Sequence, residues 1–302
     1  MSTGVAASAA YGSFLNIECL ALDGGAFGIS ALEVRSMDPQ QSFVLHAGYA
    51  ALACGENNTQ QARDGLVYSS VGVFVGVEPS GMVVQASANA FSATGSAASI
   101  TSGRFSYALG LVGPCYTIDT ACSSALAALH VCTAALLRAE CERCVSVGTK
   151  VLSEAVNYGT SVAGMTSLLG RCHTFDGRAD GYCRGEGCGA FCVRGDGSSG
   201  TAGRASFALV LGSAVQQDGP SASLTAPNGS SQRRLLEAVR GDNETRGDPA
   251  LEAHGTGTAL GDPIEVATIS LCRRYITRWN AIRSQRCLVA GGWCHGVARR
   301  AC

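Results

Sequence analysis

The run GPCYTIDTACSSALAALH, from Gly113 to His130, organises the reading of this chain. A β-prone stretch (Tyr116, Thr117, Ile118) meets Asp119-Thr120-Ala121, and Cys122 then opens an almost wholly apolar helix reaching about Leu137. A thiol at a helix N-terminus faces unsatisfied backbone N–H groups and the positive end of the helix dipole. Both favour thiolate over thiol, so Cys122 is expected to be a nucleophile activated at neutral pH. The competing reading of any free cysteine is a small buried hydrophobe, and for the other cysteines of this chain that reading is preferred.

Outward from this run, strands and helices alternate. Val71–Val77 (VGVFVGV) and Phe207–Val215 read as buried strands, being apolar or β-branched and bounded by Gly, Ser and Pro. Val145–Gly148 fits a third strand. Val44–Cys54, Ala125–Leu137 and Gln232–Val239 read as helices, the last with capping residues in Asn228-Gly-Ser-Ser-Gln232. Strands interleaved with helices predict an α/β layered fold around a buried sheet.

Composition narrows the class. With 302 residues, 46% of them hydrophobic and 15% charged, the chain can bury a large core. A net charge of −1 gives no electrostatic case for nucleic acid or an acidic membrane surface. No apolar run is long enough for a membrane span, and MSTGVAASAAYGSF lacks the basic and apolar regions of a secretory leader. The cytoplasm is the default expectation, with a plastid-type organelle left open. Fifteen cysteines spread through so long a chain suggest reduced thiols rather than a disulfide scaffold. Cys141-x-x-Cys144 has the form of half a zinc site, but no second pair at matching spacing accompanies it, and no metal is expected.

A second run, LEAHGTGTALGDPIEV (Leu251–Val266), places His254 before Gly255-Thr256-Gly257-Thr258. Such a glycine-rich loop brings backbone close to a ligand, and its two hydroxyls can hydrogen-bond an amide-rich chain. That setting favours a catalytic His254 over a satisfied structural one. A third run, His173–Val193, carries Asp, Arg and Glu. Spacing alone does not decide between buried ion pairs that fix loops and a solvated, glycine-rich surface. Gly195–Gly200 fits G-x-G-x-x-G but has the composition of a hairpin turn, with no helix-forming segment after it.

Together these runs resemble the β-ketoacyl synthase (ketosynthase) family, and more closely the ketosynthase domains of type I polyketide synthases. LDGGAFGIS and SMDPQQ lie within Leu22–Gln41, GVFVGV at Gly72–Val77, and Ser92–His130 spans the cysteine run. Thr174–Ala190, Gly212–Gly229 and Glu252–Val266 follow in the family's order. The resemblance implies a thiolase-like fold of two pseudo-twofold-related βαβαβ halves, the N-terminal half largely present and the C-terminal half incomplete. The divisions expected are a divergent start over 1–21, the nucleophile half over 22–205, the beginning of the second half over 206–269, and a divergent basic tail over 270–302.

The implied chemistry is acyl transfer from a carrier protein's phosphopantetheine to Cys122, then decarboxylative Claisen condensation with a malonyl-type extender, in polyketide or fatty-acid biosynthesis. His254 matches the histidine that polarises the extender's thioester. Thr256, Thr258 and Thr225 match pantetheine contacts. No bound cofactor is implied; the implied partners are an acyl carrier protein and a second copy in a homodimer, or other synthase modules.

The chain departs from the family in two places. The family's opening strand is missing before Leu22. The family's second histidine lies in a Lys-Thr/Ser-Asn-x-Gly-His motif, and the only lysine here is Lys150. Trp293-Cys-His295-Gly296 falls where that motif should begin, so His295 is the sole positional substitute. From Ser270 to Cys302 there are seven arginines and no acid, a composition that suggests another reading frame or an unrelated exon. The expectation is an acylating half that is intact and a condensing half that is impaired. The alternative is a non-catalytic homologue acting as an interaction partner.

Overall fold

Four segments meet as neighbours in one sheet, and its two central strands are buried on both faces while the outer two are partly exposed. In the computed structural model, residues 11–16, 22–54, 63–81, 88–195, 208–240 and 250–271 are described, with the backbone of 287–288. Two compact units divide the chain. One holds Ser13–Val156, Gly185–Arg204 and Gly296–Cys302; the other holds Met1–Gly12, Asn157–Arg184 and Ala205–His295.

The first unit contains strands β1 (Val71–Val77), β2 (Cys115–Ile118), β3 (Arg143–Lys150) and β4 (Gly187–Arg194) in the order β2-β1-β3-β4. β1 is parallel to both β2 and β3, while β4 runs antiparallel to β3. All seven residues of β1 are buried, as an uninterrupted apolar run with helices on both faces requires. Val71, Val73, Val75 and Val77 cluster with Val145 and Val147 of β3 and with Val44, Leu45, Leu52, Phe105 and Leu109. Those last five come from helices α2 (Pro39–Ala53) and α4 (Ile100–Leu109). The opposite face gathers Phe74 and Cys144 with Ala128, Cys132 and Ala135 of α5 (Ser124–Leu137). Each fully buried valine contributes roughly 1.5–3 kcal/mol, so the two helical layers rather than strand propensity hold the sheet.

Two short helices, α1 (Ala31–Ser36) and α3 (Ser92–Ser96), flank this core. The MDPQQ run now has a physical role. Asp38 caps α2 by accepting from Gln40 N, and Pro39 occupies the first turn, where its missing N–H costs nothing. Gln40, fully buried, donates to Glu78 O (3.1 Å) and accepts from Val151 N (3.0 Å), tying together the ends of β1 and β3. Gln41 donates to Thr94 O and Gly95 O, and accepts from buried Arg104, which also pairs with Glu33.

The chain passes from the first unit to the second within α6 (Glu154–Val162). The second unit adds α7 (Gly229–Arg240) and α8 (Gly261–Leu271). The strand expected over Phe207–Val215 is not formed in its described part: residues 208–215 carry no strand, and Leu209 and Val215 are exposed. Among the described residues no ladder partner lies beside this apolar stretch. The hairpin turn expected at Gly195–Gly200 falls mainly outside the described residues, as do most of 1–21 and the tail beyond Leu271, His295 included.

Among the described residues no helix is long and apolar enough to cross a membrane. The ten described cysteines are all free thiols, and no cluster of metal-ligating side chains occurs among the described residues. Cys141 and Cys144 lie 3.2 Å apart, sulfur to sulfur, in the apolar layer behind α5. Burial pushes Cys141 up to about 12, and a hydrogen bond with Cys132 pushes Cys144 up further.

Candidate active site

β2 ends at Ile118 and α5 begins at Ser124, leaving five residues to reverse the chain. So short a corner needs one residue in the left-handed region, and Ala121 supplies it with φ 55°. A non-glycine residue there costs about 1 kcal/mol or more, which the surrounding hydrogen bonds must offset. Asp119 accepts from Ala121 N (2.9 Å), and Ser124 Oγ accepts from Thr120 N (2.8 Å) while donating to Ala121 O (2.6 Å). Ser123 Oγ donates to Thr120 O at 2.8 Å. The product is a strand–turn–helix elbow that presents Cys122, half-buried, at the carboxyl end of a parallel strand.

Two glycines seat this elbow on the sheet. A Cβ on Gly76 would lie 2.4 Å from the backbone carbonyl of Ser124, and one on Gly148 would lie 2.6 Å from the Ala125 side chain. The start of α5 therefore touches the bare backbone of β1 and β3. Phe74 stacks on Tyr116, ring centroids 5.7 Å apart, and Thr117 Oγ1 meets Ser102 Oγ of α4 at 2.8 Å.

The acidity expected of Cys122 is corrected by its surroundings. Burial pushes its thiol up to about 11, with the Glu78 carboxylate adding in the same direction. The backbone N–H groups of Cys122 and Ser123 pull the other way, as a helix N-terminus should, but desolvation outweighs them. At rest the sulfur is a protonated thiol.

The second unit carries the glycine–threonine loop. Gly255 (φ 52°) and Gly257 (φ 72°) both occupy the left-handed region. α8 holds the loop with two carboxylates one turn apart. Glu265 accepts from His254 N (2.6 Å) and Gly255 N (2.8 Å), while Asp262 accepts from Gly257 N (3.0 Å) and Phe175 N (2.7 Å). Charge-assisted bonds of this kind are the strong ones, and here they spend both acids on backbone. From the other side, Thr174 Oγ1 donates to Gly255 O (2.6 Å) and Gly181 N donates to Gly257 O (2.9 Å).

Much of the His173–Val193 run is thereby explained. Its first part straps the histidine loop, and Glu186 accepts from Leu15 N and Leu152 N in the first unit. An ion pair in this run lies at the surface: Asp176 and Arg178 close their own exposed turn, and the guanidinium holds the Asp176 carboxyl well below the usual range.

Of the site residues expected from sequence, Cys122 belongs to the first unit, and His254, Thr256, Thr258 and Thr225 to the second. The hydroxyls of Thr256 and Thr258 meet at 3.0 Å, and Thr258 also accepts from Gly261 N, capping α8. Thr225 is exposed in a turn closed by Ala226 N donating to Ser223 O. Sequence reasoning assigned no role to Asp262, Glu265, Glu78 or Lys150. The GDPIE run held a signal for Asp262 alone, since an acid in a first helical turn is placed to accept from a preceding loop.

Fold and elbow define a class first: layered α/β proteins that carry a cysteine on a strand–turn–helix corner. Comparison with known proteins is narrower. Residues 2–196 match the family described as Beta-ketoacyl synthase, N-terminal domain, and residues 207–289 match Beta-ketoacyl synthase, C-terminal domain. The chain belongs to the β-ketoacyl synthase family.

Among its relatives are Erythronolide synthase EryA3 of Saccharopolyspora erythraea, 40% identical over 81% of this chain, and Non-reducing polyketide synthase mapC of Penicillium roqueforti, 38% identical over 82%. This chain spans only 8% and 10% of their respective lengths. The ketosynthase from module 6 of the bacillaene synthase of Bacillus subtilis 168 superposes with a TM-score of 0.75 at 29% identity, covering 87% of this chain and 46% of that one. The oxazolomycin ketosynthase domain of Streptomyces albus JA3453 gives 0.74 at 31%, with the same coverage. The α/β architecture is thus the thiolase-like fold of ketosynthases, and the relatives are polyketide synthases.

Proposed function

We propose that this chain performs the acylation step of a ketosynthase. Cys122 Sγ attacks the carbonyl of an acyl thioester on a carrier protein's phosphopantetheine. The new S–C bond forms, the bond to the pantetheine sulfur breaks, and the proton lost by Cys122 ends on the released pantetheine thiol. Covalent capture divides one difficult carbon–carbon bond formation into two easier steps. In the second step a malonyl-type extender loses CO2, its enolate carbon attacks the Cys122 thioester, and the thiolate departs. His254 polarises the extender's carbonyl, and Thr256, Thr258 and Thr225 hold the pantetheine amides. The observation that carries this reading is the elbow: a strained corner, seated on glycines, that presents one thiol with backbone N–H groups directed toward it.

Condensation is the weaker half. Each missing acid/base or oxyanion group costs ~10²–10⁴ in rate. The lysine of the second histidine motif is not in this chain beyond Lys150. Incubation with an acyl carrier protein or a short acyl thioester, followed by peptide mass mapping, is expected to find the acyl group on Cys122 and none in Cys122→Ala. Elongation from a malonyl carrier is expected near background. Elongation at the rate of an intact ketosynthase would overturn the second expectation, and an unacylated Cys122 the first. A second reading, a non-catalytic homologue that pairs with an intact synthase, draws on the raised Cys122 thiol. It predicts co-purification with synthase modules without any acyl adduct.

A further inference from the structure

The sheet ends in a feature that the reaction outlined above does not use. β1 and β3 run parallel in register, Gly76 beside Gly148 and Val77 beside Thr149. The next residue on each strand is charged: Glu78 after β1 and Lys150 at the end of β3. Alternation decides which face they occupy. Val75, Val77, Val145 and Val147 point into the α2/α4 layer, so Gly76, Gly148, Glu78 and Lys150 lie on the face of α5 and its elbow. Lys150 Nζ meets Glu78 Oε2 at 2.6 Å, both side chains partly buried. Gln40 fixes the backbone at this spot by bonding both Glu78 O and Val151 N.

We infer that the Glu78–Lys150 pair is a positioning device that tunes the field at Cys122, Glu78 adding to the cost that burial already sets on a thiolate there and Lys150 limiting that addition. This inference rests on Cys122 as the acyl acceptor. A carboxylate near a thiol disfavours the thiolate, and an ammonium beside that carboxylate cancels much of its field. The chain's only lysine is spent at this point. Of the other charged or titratable groups around the elbow in this unit, Asp119 is committed to Ala121 N, and His130 lies about two helical turns along α5. Cys132 and Cys144 belong to the apolar layer further down the helix, and Arg104 is held by Gln41 and Glu33 in the opposite layer. The direct effect of the Glu78 carboxylate on Cys122 agrees in sign with this arrangement.

The test is the pH profile of iodoacetamide alkylation at Cys122 in the whole protein, followed by mass mapping of its peptide. The sulfur displaces iodide, so no acyl donor enters and the outcome is independent of whether acyl transfer occurs. Glu78→Gln leaves an unopposed ammonium and is expected to move the midpoint down by about one pH unit. Thiolate nucleophilicity falls as pKa falls, so at pH 8 the rate should rise about threefold rather than tenfold. Lys150→Met removes the ammonium from beside the carboxylate and should slow alkylation at pH 8 by about threefold. The neutral double variant should return close to the parent rate, and Lys150→Arg should match the parent.

A purely structural pair would not give single variants of opposite sign with restoration in the double. Circular dichroism reports folding; should Lys150→Met fail to fold, Glu78→Gln decides alone. A parental profile in folded Glu78→Gln, or both single variants shifting in the same direction, overturns the inference.

Discussion

The elbow around Cys122 and the loop around His254 both turn through left-handed backbone, the first at an alanine and the second at glycines, and they are held by different kinds of force. The elbow is fixed chiefly by closeness: α5 rests on the bare backbone of Gly76 and Gly148, with the Ser124 hydroxyl and one carboxylate, Asp119, closing the corner. The loop is fixed by charge: Glu265 and Asp262 together accept four backbone N–H groups. One segment is therefore vulnerable to a single added methyl, the other to the loss of a single negative charge. Shape protects the thiol, and electrostatics protects the histidine.

That contrast is broken most sharply at Gly76. Gly76→Ala puts a methyl 2.4 Å from the Ser124 carbonyl, and neither backbone can yield cheaply. A loss of about 3 kcal/mol, the upper end for overpacking, is expected in urea unfolding. Cys122 alkylation should change with it, while amide exchange in the His254 loop should not. A parental urea midpoint would show that the elbow is not seated as described.

Glu265→Gln tests the other side. It keeps the shape and removes the charge, and about 1.5 kcal/mol is expected from weakening two charge-assisted bonds. Hydrogen exchange at His254 and Gly255 should quicken roughly tenfold, with the elbow amides unaffected. Equal quickening in both regions would dissolve the distinction.

The smallest effect belongs to Ala121→Gly. It relieves the left-handed strain at φ 55° and gives back part of that gain as unfolded-state entropy, leaving about 0.5 kcal/mol of added stability. Destabilisation beyond that amount would mean the Ala121 methyl contributes packing of its own.

What could be read from the sequence follows the range of the interactions involved. VGVFVGV and the helix after Cys122 are legible because their apolar residues are buried wherever the chain places them. β4 was not, since GCGAFCVR carries two glycines and becomes a strand through its antiparallel partners on β3. Phe207–Val215 failed for the converse reason: its apolar residues found no ladder in the described part. The acidity of Cys122 was misjudged because the helix end is a local feature and desolvation is not. The role of Glu265 stayed hidden because the 11-residue separation from His254 says nothing about which way a carboxylate turns.

The raised proton affinity of Cys122 also bears on what the protein ignores. Cys54, Cys115 and Cys172 are exposed, so a small electrophile diffusing in solution meets them first. Cys122 is guarded by its own desolvation and gains little from mere collision. Under the acylation proposed above, its selectivity would come from a donor that docks and supplies the missing polarity on arrival. On that reading the corner would stay quiet between visits, with stray electrophiles consumed by the exposed thiols instead.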